Sequence, residues 1–114
     1  MPTALLQDVD PDGSIDAPLS PLLERFRQHL EVSQGVSPHT LRAYLSDLRH
    51  FERYVVGTLN TSLLAVVHAG IRGYLGTLSV EASARTRARR LASIRAFYRW
   101  LVRQKLLPAS PAKS

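Results

Sequence analysis

The sequence predicts an all-α fold, a compact bundle of four helices behind an acidic leader. Three observations carry this expectation. Apolar residues recur at three- and four-residue spacing through four segments, two of those segments open on Ser-Pro, and no stretch alternates with period two for long enough to propose a sheet. With 114 residues and 45% hydrophobic content, the chain can bury one modest core.

The leader, residues 1–19, is set apart by charge. Asp8, Asp10, Asp12 and Asp16 lie in the first 20 residues, which contain no base. The chain's 15 basic and 9 acidic residues therefore leave 15 basic against 5 acidic in the remainder, a body of +10 within a net charge of +6. Pro2, Pro11, Gly13 and Pro18 add turn-forming residues, and the segment reads as a flexible terminus. Such a leader either masks a basic surface weakly or does little.

The first helix begins at Ser20-Pro21, a cap followed by proline at the first helical position, and presents Leu22, Leu23, Phe26 and Leu30 before stopping near Gly35. Ser37-Pro38 repeats the start signal. Leu41, Tyr44, Leu45, Leu48, Phe51 and Val55 then keep helical spacing to a stop at Gly57. After a loop rich in Thr, Asn and Ser, the residues Ile71, Tyr74, Leu75 and Leu78 predict a shorter third helix. Gly70, Gly73 and Gly76 weaken it, at about 1 kcal/mol each against alanine in a helix interior. The long fourth helix runs through Ser83–Lys105, and Pro108 with Pro111 closes the segment.

That fourth segment holds eight positive charges and no acid in 23 residues. Taking Leu91 as zero and advancing about 100° per residue, Ala84, Leu91, Ile94, Tyr98, Leu101 and Val102 fall on one side. Arg85, Arg89, Ala92, Ala96, Arg99 and Arg103 fall on the other, where the alanines let backbone and phosphate approach closely. The second helix has the same architecture, with His39, Arg42, Ser46, Arg49 and Arg53 opposite its leucines. Arginine meets phosphate through a planar fork and pairs bidentately with guanine, so two basic stripes point to duplex DNA as partner. Arg87 and Arg95 lie nearer the apolar side, where their stems either cover the core or stay in solvent. Phe97 and Trp100 leave two readings: packing against the first or third helix, or an apolar patch for another domain or protomer.

Other chemistries find little support. The chain has no cysteine, which excludes thiolate nucleophiles, disulfides and Cys-ligated zinc, and its four histidines lack paired metal-site spacing. No cofactor is expected. No run approaches the roughly 18 apolar residues of a membrane span, and the N-terminus lacks a secretory signal, so the sequence predicts a soluble intracellular protein.

Ser37-x-x-Thr40-x-x-x-Tyr44-x-x-Asp47-Leu48-x-x-Phe51, followed by Arg90-Leu91-x-x-Ile94-Arg95-x-Phe97-Tyr98-x-Trp100-Leu101, resembles the N-terminal core-binding (SAM-like) domain of tyrosine recombinases, Xer type (XerC/XerD). The likeness spans about residues 20–112. It departs from the family where Ser110-Pro111 stands for the usual Asn-Pro, and where His68 and Gly70 stand for a polar cap and an acidic residue.

The resemblance implies a domain lying on one face of a recombination half-site while a C-terminal catalytic domain closes on the other. The second and fourth helices would meet the major groove and its flanking phosphates. His39, Thr40, Arg42, Arg85, Arg89 and Arg90 carry over as DNA contacts, with Arg99 and Arg103 as outer phosphate contacts. Residues 113–114 would begin the linker to the catalytic domain.

The implied parent enzyme cuts DNA by attack of a tyrosine hydroxyl on the scissile phosphate, giving a 3′-phosphotyrosyl link without metal or ATP. It would be bacterial, cytoplasmic and nucleoid-associated. It would perform strand exchange in chromosome dimer resolution and segregation, with a second Xer recombinase or with itself in a tetrameric synapse. None of this chain's residues is expected to be catalytic. His39-Thr40-Leu41-Arg42 imitates the family's His-x-x-Arg box but lies in the core-binding pattern, and Tyr44, Tyr54, Tyr74 and Tyr98 sit on or near apolar faces. Three further readings stay open: a phage or transposon integrase domain, a free-standing helical DNA-binding regulator, and a SAM-like protein-interaction module. The regulator would need a helix–turn–helix pair with a short turn, which the gap between Gly57 and Ile71 argues against.

Overall fold

The computed structural model describes residues 18–113. The four leader aspartates and most of the expected leader lie outside the described residues. Among the described residues the fold is all-helical, with four helices and no strand: α1 (Pro21–Gln28), α2 (Pro38–Gly57), α3 (His68–Glu81) and α4 (Ala84–Arg103). The chain packs as two compact units, one up to His50 and one from Phe51 on, with the division inside α2.

In the first unit, Ser20 and Pro21 open α1 as expected, the Glu24 amide donating to the Ser20 carbonyl at 2.9 Å. The helix continues into a wider π-helical turn, His29–Ser33, capped by Gln34 and followed by Gly35, whose φ of +60° suits a residue without Cβ. Leu23, Phe26, Leu30, Leu45 and Leu48 are buried, and Phe26 meets the Tyr44 ring edge-on at 6.2 Å. On the surface of α1, Arg27 binds Glu24, with its Nη2 2.6 Å from the carboxylate, and also Glu31. The hydrogen bond from Arg27 holds the Glu24 carboxyl below its ordinary pKa.

The second unit has an aromatic core. Phe51 packs on Tyr74 at 5.0 Å and on Tyr98 at 6.3 Å, both edge-on. Val55, Ile71, Leu78, Ile94, Phe97 and Leu101 fill the space around them. The Tyr98 hydroxyl donates to the Leu63 carbonyl at 2.8 Å, tying the loop before α3 to α4. Two further bonds join elements: Arg87 Nη1 donates to the Ala82 carbonyl at 2.8 Å, and His68 Nδ1 lies 3.0 Å from the Pro111 carbonyl.

Three boundaries differ from the sequence reading. Helix α3 begins at His68, a turn earlier than Ile71, and neighbours lie close against two of its glycines, Gly70 and Gly73, while Gly76 faces open space. A Cβ on Gly70 would lie 2.9 Å from both Leu59 Cδ1 and Val66 Cγ2, so the close approach requires glycine. Helix α4 stops at Arg103, and Lys105 adopts a left-handed φ of 61° just beyond it. A short interhelical turn does exist, the Ala82–Ser83 junction between α3 and α4. Ser83 caps α4, its hydroxyl accepting from the Thr86 amide at 3.1 Å.

Burial raises the Tyr98 pKa above its ordinary value, with the negative charge of Glu52 adding to the effect. A phenol kept neutral when folded but able to ionise when unfolded supports the fold below about pH 10, and this support is lost as pH rises through the folded value. Tyr98→Phe should therefore cost about 0.5–1.5 kcal/mol at neutral pH, the worth of one buried hydrogen bond. It should also flatten the alkaline fall in stability, both effects being read by denaturant titration at several pH values.

Candidate nucleic-acid interface

The core fixes which face of each helix is left for a ligand. On α4 the residues Arg90, Ser93, Ile94, Phe97, Tyr98, Trp100 and Leu101 are buried. With Leu91 again as zero, these centre about 90° to one side of it, and the outward face centres about 90° to the other. The sequence-derived axis was therefore off by roughly a quarter turn, because half-buried Leu91 and Val102 mark the edge of the core and not its middle.

Arg85, Arg89, Arg99 and Arg103 are exposed as expected. The rotation corrects one expectation, for Arg90, and decides two readings left open. Arg90 retains only 7% of its surface, since its Cβ points into the core, so it is not a surface contact for DNA. Arg95 is exposed and extends the stripe. Phe97 and Trp100, at 0% and 3% exposure, are core residues and form no apolar docking patch. The signal for this was present in Phe97, Trp100 and Ser93, which share an arc that a leucine-based count passes over. Arg87 is half-buried, and its bond to Ala82 gives it a structural task.

The exposed face of α4 thus presents Arg85, Ala88, Arg89, Ala92, Arg95, Arg99 and Arg103, with no acid anywhere on the helix. Arg85/Arg89, Arg95/Arg99 and Arg99/Arg103 are like-charged neighbours one turn apart, each such pair costing an isolated helix about 0.2–0.5 kcal/mol. A polyanion laid along the face would offset that repulsion. Alanine at positions 88 and 92 leaves the helix backbone accessible between the arginine heads.

In the first unit, the N-terminal turn of α2 is capped by Ser37, whose hydroxyl accepts from the Thr40 amide at 3.1 Å and donates to Thr40 Oγ1 at 3.0 Å. His39, Thr40 and Arg42 are exposed on this turn, where the helix dipole favours phosphate. Further along, Ser46 is half-buried and Arg49 is buried at 9% exposure. At mid-helix the α2 core face reaches about 100° to either side of Leu48, which takes in Arg49 and breaks the expected stripe. Arg49 and Arg90 each keep an interaction partner, as does buried Asp47. Arg53, on the part of α2 that belongs to the second unit, is exposed.

Tyr74 and Tyr98 are fully buried, and Tyr44 and Tyr54 are half-buried on their helices. Among the described residues no cluster of His, Asp or Glu could hold a metal ion, and no helix is long and apolar enough to cross a membrane.

Comparison with known proteins places the sequence in a family. Residues 23–105 match the phage integrase N-terminal SAM-like domain. The chain belongs to that family. It is 66% identical over 95 residues to the tyrosine recombinase XerC of Myxococcus xanthus, a match covering 83% of this chain and 32% of that protein. It is 40% identical over 100 residues to XerC of Pelobacter propionicus, covering 83% and 33%. It is also 40% identical over 92 residues to the tyrosine recombinase XerD of Shewanella oneidensis, covering 80% and 30%. The chain spans about a third of the length of these curated relatives. No solved structure matches it significantly.

The buried and exposed arginines should behave differently on substitution. Arg85→Gln is expected to leave the melting temperature essentially unchanged or slightly raised. Arg90→Ala should cost about 1–3 kcal/mol through lost packing of a buried side chain. Thermal unfolding followed by circular dichroism reads both.

Proposed function

We propose that this chain is the DNA-binding, core-binding domain of a Xer-type tyrosine recombinase, which holds a recombination half-site while the rest of the full-length protein carries out strand exchange. The observation that carries the reading is the exposed arginine and alanine face of α4, a helix with no acid, in a chain of the integrase SAM-like family. In this reading Arg85, Arg89 and Arg95 reach base edges and the nearest phosphates, while Arg99 and Arg103 take outer phosphates. His39, Thr40 and Arg42 bind a phosphate at the capped start of α2, and Arg53 adds a further charge.

The chemistry of the parent enzyme, attack by a tyrosine hydroxyl on a phosphodiester, belongs in this reading to a separate catalytic domain. Strand exchange between chromosome copies, with a second recombinase or a further copy of the same protein, is the task the parent would perform. Supercoiled plasmid incubated with this chain should accordingly be neither nicked nor captured as a phosphotyrosyl adduct.

Binding to a duplex carrying a Xer-type half-site, against a scrambled duplex at several salt concentrations, tests the reading. Log K should fall with log salt at roughly 0.9 per phosphate contacted, with the half-site preferred. Arg42→Glu combined with Arg89→Glu should abolish binding while helicity is retained. Binding that persists in this double variant would mean that DNA uses another surface.

A further inference from the structure

The basic face of α4 does not end at the edge of the helix. With Leu91 as zero, that face centres near 90°, Arg95 lies at about 40°, and Leu91 marks the border with α3, which packs alongside. At this border two adjoining hollows, of about 340 and 310 Å³, share Arg95 and Ala112, all within the second unit. Arg72 of α3 lines one hollow, and Arg99 and Lys113 line the other. All four cations are exposed, no acid lines either hollow, and among the described residues no ion pair engages them.

The segment that carries Lys113 is held in place. Ala112 is buried, and the Pro111 carbonyl lies 3.0 Å from Nδ1 of His68 at the start of α3. Arg72 follows His68 by one turn on the same flank of that helix. Two elements besides α4 therefore add charge to the side on which Arg95 stands.

The dimensions of a major groove give this added charge a task. A helix about 10–12 Å across fills a groove about 12 Å wide, so with α4 in the groove the bounding sugar-phosphate strands run beside the helix and not over it. A packed neighbour has its axis about 8–10 Å away, which brings the α3 flank and the Ser110–Lys113 segment under the strand on the Leu91 side. Such a strand matches both parts of the surface. Its phosphates meet Arg72, Arg95 and Lys113, and the apolar edge of the deoxyribose between them meets half-buried Leu75 and Leu91. A small free anion would leave those leucines uncovered. An acidic protein segment would compete with DNA for Arg95 and Arg99, which belong to the face already turned toward the duplex.

We propose that Arg72 and Lys113 are further DNA contacts, which together with Arg95 hold the sugar-phosphate strand along the α3 side of α4. The inference rests on the DNA reading and deepens it: α4 enters the groove, while α3 and the Ser110–Lys113 segment grip one of its walls. Contacts to the backbone fix the register of a protein on the duplex without reading sequence, so this pair strengthens binding to every duplex alike.

The test compares the wild-type chain with Arg72→Gln combined with Lys113→Gln, and with Arg25→Gln, which removes an exposed cation of α1 that has no proposed DNA contact. Arg72 and Lys113 are exposed, so helicity and melting temperature should hold in the double variant. Binding to the half-site duplex and to a scrambled duplex is measured at several salt concentrations. The slope of log K against log salt should fall by about 1.8 in the double variant, roughly 0.9 for each lost phosphate contact, with the preference for the half-site unchanged. Arg25→Gln should keep the wild-type slope. Replacing single phosphates of the duplex by uncharged methylphosphonates then locates the contact. Replacement at one or two neighbouring positions of one strand should weaken the wild-type chain and leave the double variant unaffected. A slope and a methylphosphonate map unaltered by the double substitution, while the wild-type chain binds, would overturn this inference alone. Loss of half-site preference in the double variant would put the pair at base edges and overturn the strand assignment. A wild-type chain that binds no duplex would overturn the DNA reading and this inference with it.

Discussion

The rotation of α4 about its own axis decides which arginines are available, and Tyr98 sets that rotation. Its ring lies against Phe51 and its hydroxyl donates to the Leu63 carbonyl, so turning the helix would break an aromatic contact and orphan a buried carbonyl together. With Tyr98 held, Ile94, Phe97 and Leu101 follow into the core, and Arg85, Arg89, Arg95, Arg99 and Arg103 are directed outward. The placement of charge is therefore a consequence of packing. A helix carrying five exposed arginines and no acid repels itself along its length, and it is the buried face that holds it in register.

The same logic accounts for what periodicity could and could not reveal. Helix starts were legible because Ser20-Pro21 and Ser37-Pro38 are local signals, written in side-chain chemistry that needs no tertiary partner. The start of α3 was not, because Val67 is no side-chain cap and Gly70 and Gly73 count against a helix until Leu59, Val66 and Tyr54 are seen close against them. The stripes were half legible. Counting leucines locates a basic side on α4, but the centre of its core is aromatic, so the count points Arg90 outward and puts Arg95 on the boundary. On α2, Arg49 follows the spacing of a surface stripe and is nevertheless buried, since the width of a core at mid-helix is a tertiary property that no single-helix projection contains.

Family membership adds a frame that the charge pattern alone would lack. A basic face is common to many soluble helical proteins, and by itself it argues only for polyanion. Joined to the integrase SAM-like match over residues 23–105, it becomes a specific expectation about duplex DNA.

The most direct test of the account is a map of where duplex DNA touches the chain. ¹⁵N amide shifts recorded on adding a half-site duplex should change most along Arg85, Ala88, Arg89 and Ala92 of α4 and at His39–Arg42 of α2. The buried amides around Tyr98 should stay nearly still. Shifts concentrated elsewhere on the chain, with these two stretches unmoved, would contradict the claim that the outward face of α4 is the nucleic-acid interface.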